Sequence, residues 1–396
     1  MESYSFLLFL AIIMISTKVL GLFSRKIHMP AVVGALAAGV ILGPAGFGMI
    51  TLEGSTGIFL EELAEIGVIL LMFNAGLETD LSELKKNGVA SLVTALIGVV
   101  VPLLGGFLGY AFFFHTDFSD YTELLKAVFV GVVLTATSVS ITVETLREMG
   151  KLKGKVGTTI LGAAILDDII GIIVLTVVTS LKDTSVSPVS VLFKILGYFV
   201  FIAVVTVVLV KMKSYVEMQD EKRRVVILCV AFCFVMAYVS EEFFGIADIT
   251  GAYFAGLMLC SMKIGPYVAR RCEIPSYLIF SPVFFASVGL KVTLGGMDAG
   301  IWIFSLILLV IAILSKIVGC GLGARFCGCT GREALQIGVG MVSRGEVALI
   351  VAQKGYASGL LDNQLFAPIV LVVIVTTLLT PILLKVVMKD KEVRTA

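Results

Sequence analysis

The 396-residue chain has little charge and few of the residues that enzymes use for catalysis. Asp, Glu, Lys and Arg make up 15% of it, whereas a soluble protein carries about a quarter. Its two histidines, His28 and His115, lie in loops without a ligand-like partner, and no nucleophile–base constellation is visible. We therefore expect neither a soluble protein nor an enzyme. The net charge of +1 gives no indication of nucleic-acid binding, and no nucleic-acid partner is expected.

Two further patterns are missing. No ten-residue segments alternate between apolar and polar residues, which excludes a membrane β-barrel. Of the seven cysteines, Cys327 and Cys329 are separated by a single residue, and this pair has no matching second pair. We therefore predict structural thiols without a metal site, and no cofactor.

The chain does contain long apolar blocks of roughly 20 residues, the length of helix that crosses a bilayer. They predict an all-α polytopic membrane protein with about thirteen transmembrane helices in one transporter domain over 1–396, with no soluble regulatory domain. The predicted spans are about 4–22, 30–49, 59–78, 88–114, 123–147, 154–181, 189–211, 223–243, 248–263, 274–290, 299–326, 333–357 and 364–388.

The distribution of basic residues predicts the orientation of these spans. Lys and Arg cluster in alternate loops, whereas the opposite loops and span ends have only five. These five are Lys126, Lys182, Lys194, Lys291 and Lys354. Because basic loops remain in the cytoplasm, the N-terminus is predicted outside and the C-terminus inside, in a prokaryotic inner membrane. The first 23 residues lack a basic start and a cleavage site, so they are interpreted as a retained span.

Two adjacent aspartates, Asp167 and Asp168, lie near the middle of span 6. A carboxylate at this depth costs ~2.5 kcal/mol or more, so the pair requires a cation, a proton or a buried lysine. On a helix the two side chains point about 100° apart and face different neighbours. A partly desolvated carboxylate can hold either a proton or a small hard cation such as Na⁺. Competition between the two is the minimal mechanism of exchange.

Spans 5 and 12 carry residues that fill a lipid-facing helix poorly. Span 5 has five hydroxyl residues within eight positions, including Thr137 and Ser138, and span 12 has glycines with Arg344 and Glu346. Broken helices at equivalent positions are typical of inverted-repeat transporters, with the site where they cross. Spans 1–6 and 8–13 would be the repeats, and span 7 their linker. For span 5 alone, hydroxyls that bond within an intact helix explain the pattern equally well.

Three charged side chains need partners inside the membrane. Lys316 lies deep in span 11 and is the candidate partner of the aspartates. Arg344 and Glu346 either neutralise the dipole ends of the broken helix or pair with a neighbouring span. Glu78, at the end of span 3, is expected to be solvated.

These residues together resemble the monovalent cation:proton antiporter-2 family, in particular its NapA-type sodium/proton antiporters. The likeness is carried by Asp167-Asp168, the Thr137-Ser138 break and Lys316, and by Leu42-Gly43-Pro44 and the segment 74–81. It runs through essentially the whole chain. A cytoplasmic nucleotide-binding domain and a Gln-Asp pair, which are common in potassium-efflux relatives, are both missing.

The resemblance implies a site and a mechanism. Asp168 would bind the ion, Na⁺, and the proton, and Asp167 would pair with Lys316. Thr137 and Ser138 would lie at the crossover near the ion, and Glu346 in the second broken helix. The protein would be a homodimer that moves its site-bearing domain like an elevator, with electrogenic exchange of cytoplasmic Na⁺, or Li⁺, for protons.

Other functions stay open at this point. K⁺/H⁺ exchange uses the same oxygen ligands, which do not rank Na⁺, Li⁺ and K⁺. A cation channel would line a continuous pore with the same acids, but broken helices at equivalent positions favour alternating access. A sensor without flux would need an output domain, which the short C-terminal tail does not offer.

Overall fold

The protein is described by a computed structural model, which describes residues 4–27, 29–52, 54–182, 188–217, 223–291, 299–357, 359–361 and 363–389. All regular elements within these ranges are helices. They are α1 (Ser5–Lys26), α2 (Ala31–Leu42), α3 (Gly54–Glu78), α4 (Leu81–Phe114), α5 (Tyr121–Thr135), α6 (Val139–Glu148), α7 (Lys155–Lys182), α8 (Pro188–Glu217), α9 (Arg223–Phe244), α10 (Asp248–Leu259), α11 (Gly265–Pro275), a π-helical turn (Ser276–Phe280), α12 (Ser281–Leu290), α13 (Ala299–Phe326), α14 (Gly331–Gly340), α15 (Glu346–Ala357) and α16 (Asn363–Met388).

Helical residues occupy each predicted span. Within the described ranges, nine helical stretches are long and apolar enough to cross a bilayer. The others, such as the 12-residue helices α2 and α10, are shorter or carry more charge. The chain is therefore a multi-pass helical protein, and the count of thirteen spans stays a prediction.

Spans 5 and 12 are interrupted, as their polar residues predicted. Between α5 and α6 the chain leaves the helix over 136–138, and between α14 and α15 over 341–345. Each interruption releases backbone N–H and C=O groups that hydrocarbon cannot satisfy, so such segments persist only inside protein. Both are buried.

The helices pack in two groups. The site group, so named because it carries the predicted site residues, consists of α4, α5, α7 and α13–α16. The companion group consists of α1–α3 and α9–α12. The helix α8 contacts α7 on one side and α9 and α10 on the other, and α6 contacts helices of both groups. The inverted repeat, with α8 as its linker, stays a prediction.

Helices α3 and α10 cross at a pair of glycines. A Cβ atom on Gly76 would lie 2.2 Å from the carbonyl oxygen of Tyr253, and one on Gly256 would lie 2.2 Å from that of Phe73. Small residues allow such close backbone contact, which supplies the van der Waals packing that holds helices together in a membrane. The hydroxyl groups of Thr79 and Tyr253 lie 3.2 Å apart and close the same contact.

We expect Gly76→Val to destabilise the protein by about 1–3 kcal/mol, because the new side chain overlaps the backbone of α10. The measurement is the unfolding temperature of purified protein in detergent. Gly88→Ala is the matched control, since no neighbour lies within 4 Å of the added carbon. Equal unfolding temperatures for the two variants would contradict the close crossing.

Candidate ion-binding site

The centre of the site group holds a buried ion pair. Lys316 Nζ on α13 lies 3.0 Å from Asp167 Oδ2 and 3.2 Å from Asp167 Oδ1 on α7. The lysine is 0% exposed and the aspartate 2%. Both long spans have apolar surroundings, so each charge requires the other. The pairing of Asp167 with Lys316 that the resemblance implied is therefore present.

Asp168 is buried next to this pair, with 5% of its surface exposed. Its side chain leaves α7 about 100° away from that of Asp167, so the two carboxylates face different neighbours. Two adjacent buried carboxylates repel each other, and the Lys316 ammonium offsets one of the two charges.

The two interrupted spans are joined where they cross. The N–H group of Ser138 donates to the carbonyl oxygen of Ser343 at 2.7 Å, and the Ser343 hydroxyl donates to the carbonyl oxygen of Ser138 at 2.8 Å. The Thr142 hydroxyl donates to the carbonyl oxygen of Gly340 at 2.8 Å and lies 2.8 Å from Ser343 Oγ. These bonds satisfy backbone groups that the interruptions release.

Arg344 closes the other side of the crossing. Its fully buried guanidinium donates to the carbonyl oxygens of Leu134 at 2.8 Å, Ala312 at 3.0 Å and Val342 at 3.0 Å. Leu134 lies in the last turn of α5 and Val342 just beyond the end of α14, where helix dipoles place partial negative charge. The contacts with Leu134 and Val342 agree with neutralisation of these ends, and the contact with Ala312 on α13 agrees with pairing to a neighbouring span. The carbonyl oxygen of Arg344 accepts a hydrogen bond from the Thr377 hydroxyl.

The remaining predicted residues lie around this crossing. Thr137 is buried close to the Asp167 carboxylate, and its Oγ1 makes no hydrogen bond of normal geometry with the described residues. Ser138 Oγ lies 3.2 Å from Ser140 Oγ. Glu346 begins α15, and its side chain lies outside the described part of the chain.

The sequence alone did not identify the hydrogen bonds that Ser343 and Thr142 make between the two interrupted spans. Both belong to the polar stretches that marked the interruptions, but their partners lie about 200 residues away in the chain. Their hydroxyl groups therefore join the two spans and do not bond within one helix. Only the crossing itself, predicted from the two breaks, could have suggested these pairs.

Glu78 was expected to be solvated and instead forms an ion pair. Its Oε1 lies 2.7 Å from the Arg147 guanidinium of α6, and one quarter of its side chain is exposed. The acids Glu61, Glu65, Glu241 and Asp248 line a separate cavity of about 380 Å³. Lys291 pairs with Glu61 there at 3.2 Å.

We expect Lys316→Met to destabilise the protein by about 3–5 kcal/mol, because it leaves the Asp167 carboxylate buried without its cation. Lys316→Met combined with Asp167→Asn is expected to recover much of that loss, since neither charge then remains. Unfolding temperatures of the three proteins in detergent measure both effects. A double variant no more stable than Lys316→Met would contradict the pairing.

We expect Ser343→Ala to lower stability by about 1–3 kcal/mol, because the Ser138 carbonyl loses its buried donor. Ser16→Ala is the control, since the Ser16 hydroxyl bonds within α1, to the carbonyl oxygen of Ile13 at 3.1 Å. Thermal unfolding in detergent compares the two. A Ser343→Ala loss no larger than that of the control would show that the crossing does not depend on this hydroxyl.

Comparison with known proteins places this fold and site in a family. The model of the family "Sodium/hydrogen exchanger, transmembrane" matches residues 9–390. A Na(+)/H(+)-K(+) antiporter of Bacillus cereus, GerN, is 41% identical over 99% of both chains. A Na(+)/H(+) antiporter of Enterococcus hirae is 39% identical over 95% of this chain and 96% of the relative.

A solved structure shares the fold. That of the sodium proton antiporter MjNhaP1 from Methanocaldococcus jannaschii superimposes with a TM-score of 0.71 at 19% identity, over 98% of this chain and all of the other. The predicted all-helical antiporter fold is thus confirmed. The relatives are transporters and not enzymes. With a family model that matches almost its full length and relatives about 40% identical, the chain belongs to the sodium/hydrogen exchanger family of monovalent cation:proton antiporters.

Proposed function

We propose that the protein is a secondary active antiporter that exchanges cytoplasmic Na⁺, or Li⁺, for protons by competition at Asp168. The observation that carries the proposal is the buried Asp167–Lys316 ion pair beside Asp168, next to two crossing interrupted helices. The names of the relatives, Na(+)/H(+) antiporters that align over 95–99% of this chain, support the same cargo.

Competition follows from the depth of the Asp168 carboxylate. A carboxylate buried in a membrane-spanning helix is stabilised by a bound proton or a bound cation, and it can hold either one. Carboxylate, hydroxyl and carbonyl oxygens suit a small hard cation. In our proposal Thr137, which is buried close to Asp167, and its neighbour Ser138 contribute such oxygens. Because one carboxylate serves both ions, binding of either one displaces the other.

The rest of the mechanism is carried by the two helix groups. In our proposal the site group moves against the companion group in an elevator-like manner, and Asp168 opens to one side of the membrane at a time. Two copies of the chain form a homodimer, with basic loops and C-terminus in the cytoplasm. The exchange is electrogenic in this proposal, with more protons than sodium ions crossing per cycle, as the resemblance to antiporters with two adjacent aspartates implies.

K⁺/H⁺ exchange is the second candidate. It is favoured by the printed name of the Bacillus cereus relative, which includes K⁺. The oxygen ligands of the site serve both ions, so the choice between them needs a measurement with each cation.

We expect Asp168→Asn to abolish Na⁺-dependent proton movement, because an amide neither ionises nor exchanges a proton for a cation. Wild type and variant are reconstituted in liposomes, and the internal pH is followed after addition of Na⁺, Li⁺ or K⁺. Asp117→Asn is the control, since Asp117 is an exposed loop residue that accepts a hydrogen bond from the Ser119 N–H, which asparagine retains.

Three outcomes decide between the readings. Normal Na⁺-dependent exchange in folded Asp168→Asn would contradict competition at this carboxylate. Proton movement with K⁺ alone would favour the second candidate. A parallel Na⁺ series with the membrane potential clamped by valinomycin and K⁺ tests electrogenicity, and a rate independent of voltage would exclude it.

A further inference from the structure

Helix α6 ends in a network of charges that connects the two helix groups. It follows the interruption at the crossing and carries Arg147 in its last turn. The Arg147 guanidinium lies 2.7 Å from Glu78 Oε1, at the end of α3, and 3.5 Å from Glu273 Oε1, on α11. Both acids belong to the companion group. Helix α6 is joined to the site group at the crossing, where Thr142 bonds to Gly340 of α14. Arg147 therefore connects the site group, through α6, to two helices of the companion group.

Glu148, the last residue of α6, makes a second set of contacts with the companion group. Its Oε2 accepts a hydrogen bond of 2.7 Å from the N–H of Ala31, the first residue of α2. That N–H has no partner within its own helix, and the positive end of the helix dipole favours a carboxylate there. Its Oε1 lies 3.8 Å from the Arg25 guanidinium of α1. The end of α6 thus bonds to α1, α2, α3 and α11.

The same junction is loosely packed. A cavity of about 300 Å³ lies between α6, α1, α2 and the π-helical turn with α12, and Glu144 and Glu148 line it. A well-packed interface contains few voids larger than a water molecule. Here charged contacts between α6 and the companion group lie beside an open volume. Charged contacts of this kind can break and form again when side chains change rotamer.

We propose that Arg147, with Glu148, is a latch that holds the site group against the companion group in the arrangement seen here. A displacement of α6 by a few ångströms along the bundle separates the guanidinium from both of its acids, so the latch forms in one transport state and is broken in the other. This inference rests on the proposed exchange by relative movement of the two groups. It adds to that proposal the charged contacts that set the balance between the two states.

The test measures the distance between the two groups. The parent protein for these measurements has its seven native cysteines replaced by alanine. It carries spin labels at Lys26→Cys on α1 and Lys86→Cys on α4, both of which are exposed positions. Pulsed electron–electron double resonance in vesicles then gives the distance between the two labels. Two transport states should give two distance populations. We expect Arg147→Ala to change the ratio of these populations by roughly two- to tenfold, which is the effect of losing a partly exposed ion pair. Arg147→Lys keeps the charge without the guanidinium fork, so an intermediate change is expected.

Lys18→Met is the matched control. Lys18 lines the same cavity, but its Nζ donates to the hydroxyl of Tyr277 at 2.7 Å. Lys18 lies on α1 of the companion group, and Tyr277 lies in the π-helical turn between α11 and α12 of the same group. We expect the distances to stay as in the parent. The exchange Glu78→Arg with Arg147→Glu reverses the central pair and is expected to restore part of the parent distribution.

The outcomes separate this inference from the proposed function. Parent distances in Arg147→Ala, with the protein folded and monodisperse, would overturn the latch even if Na⁺-dependent proton movement is normal. A shifted distribution in Arg147→Ala would support the latch. If the parent protein itself shows no cation-dependent proton movement, the proposed exchange is overturned while the latch stands. A shift of equal size in Lys18→Met would also overturn the latch, because loss of any charge near the cavity would then suffice.

Discussion

The structure depends on one constraint: inside a bilayer every backbone N–H and C=O group needs a partner within the protein. Two spans of this chain are interrupted, so they release groups that a continuous helix would satisfy. Ser138 and Ser343 exchange two hydrogen bonds across the crossing, and Arg344 takes up carbonyl oxygens at the ends of α5 and α14. The interruptions can exist only as a pair, because each supplies partners for the other. The polar environment at mid-membrane is a consequence of this mutual satisfaction.

The ion pair uses that environment. Lys316 and Asp167 are among the most deeply buried charges of the described chain, and burial on this scale is tolerated only when opposite charges meet with good geometry. Since Arg344 also acts electrostatically on Asp167, the crossing and the ion pair form one electrostatic unit. Asp168 is the next residue on α7 and is also buried. We therefore expect a change at the crossing to alter the energy of the Asp168 carboxylate, which we propose as the binding group for the cargo.

The sequence identified the charged residues of the site, but it did not identify most of the hydrogen-bond partners around them. A charge in an apolar span is rare, so Asp167, Asp168 and Lys316 were visible without a structure. Hydroxyl residues are ambiguous: Thr145 bonds to the carbonyl oxygen of Ile141 within its own helix, whereas Thr142, three residues earlier, bonds to Gly340. Composition does not distinguish the two. Glu78 was expected to be solvated because it ends a span, and its partner Arg147, 69 residues away, becomes its neighbour only through the packing of α3 against α6.

The glycine crossing of α3 and α10 has a consequence for how the molecule can move. At Gly76 and Gly256 the two backbones are in direct contact, so neither helix can slide along or rotate about the other without a clash. Side chains that interdigitate can change rotamer, but backbone atoms in contact cannot. We therefore expect the two helices to move together. The pair α3 and α10 is therefore a fixed reference, against which the displacement of any other helix of the bundle can be measured.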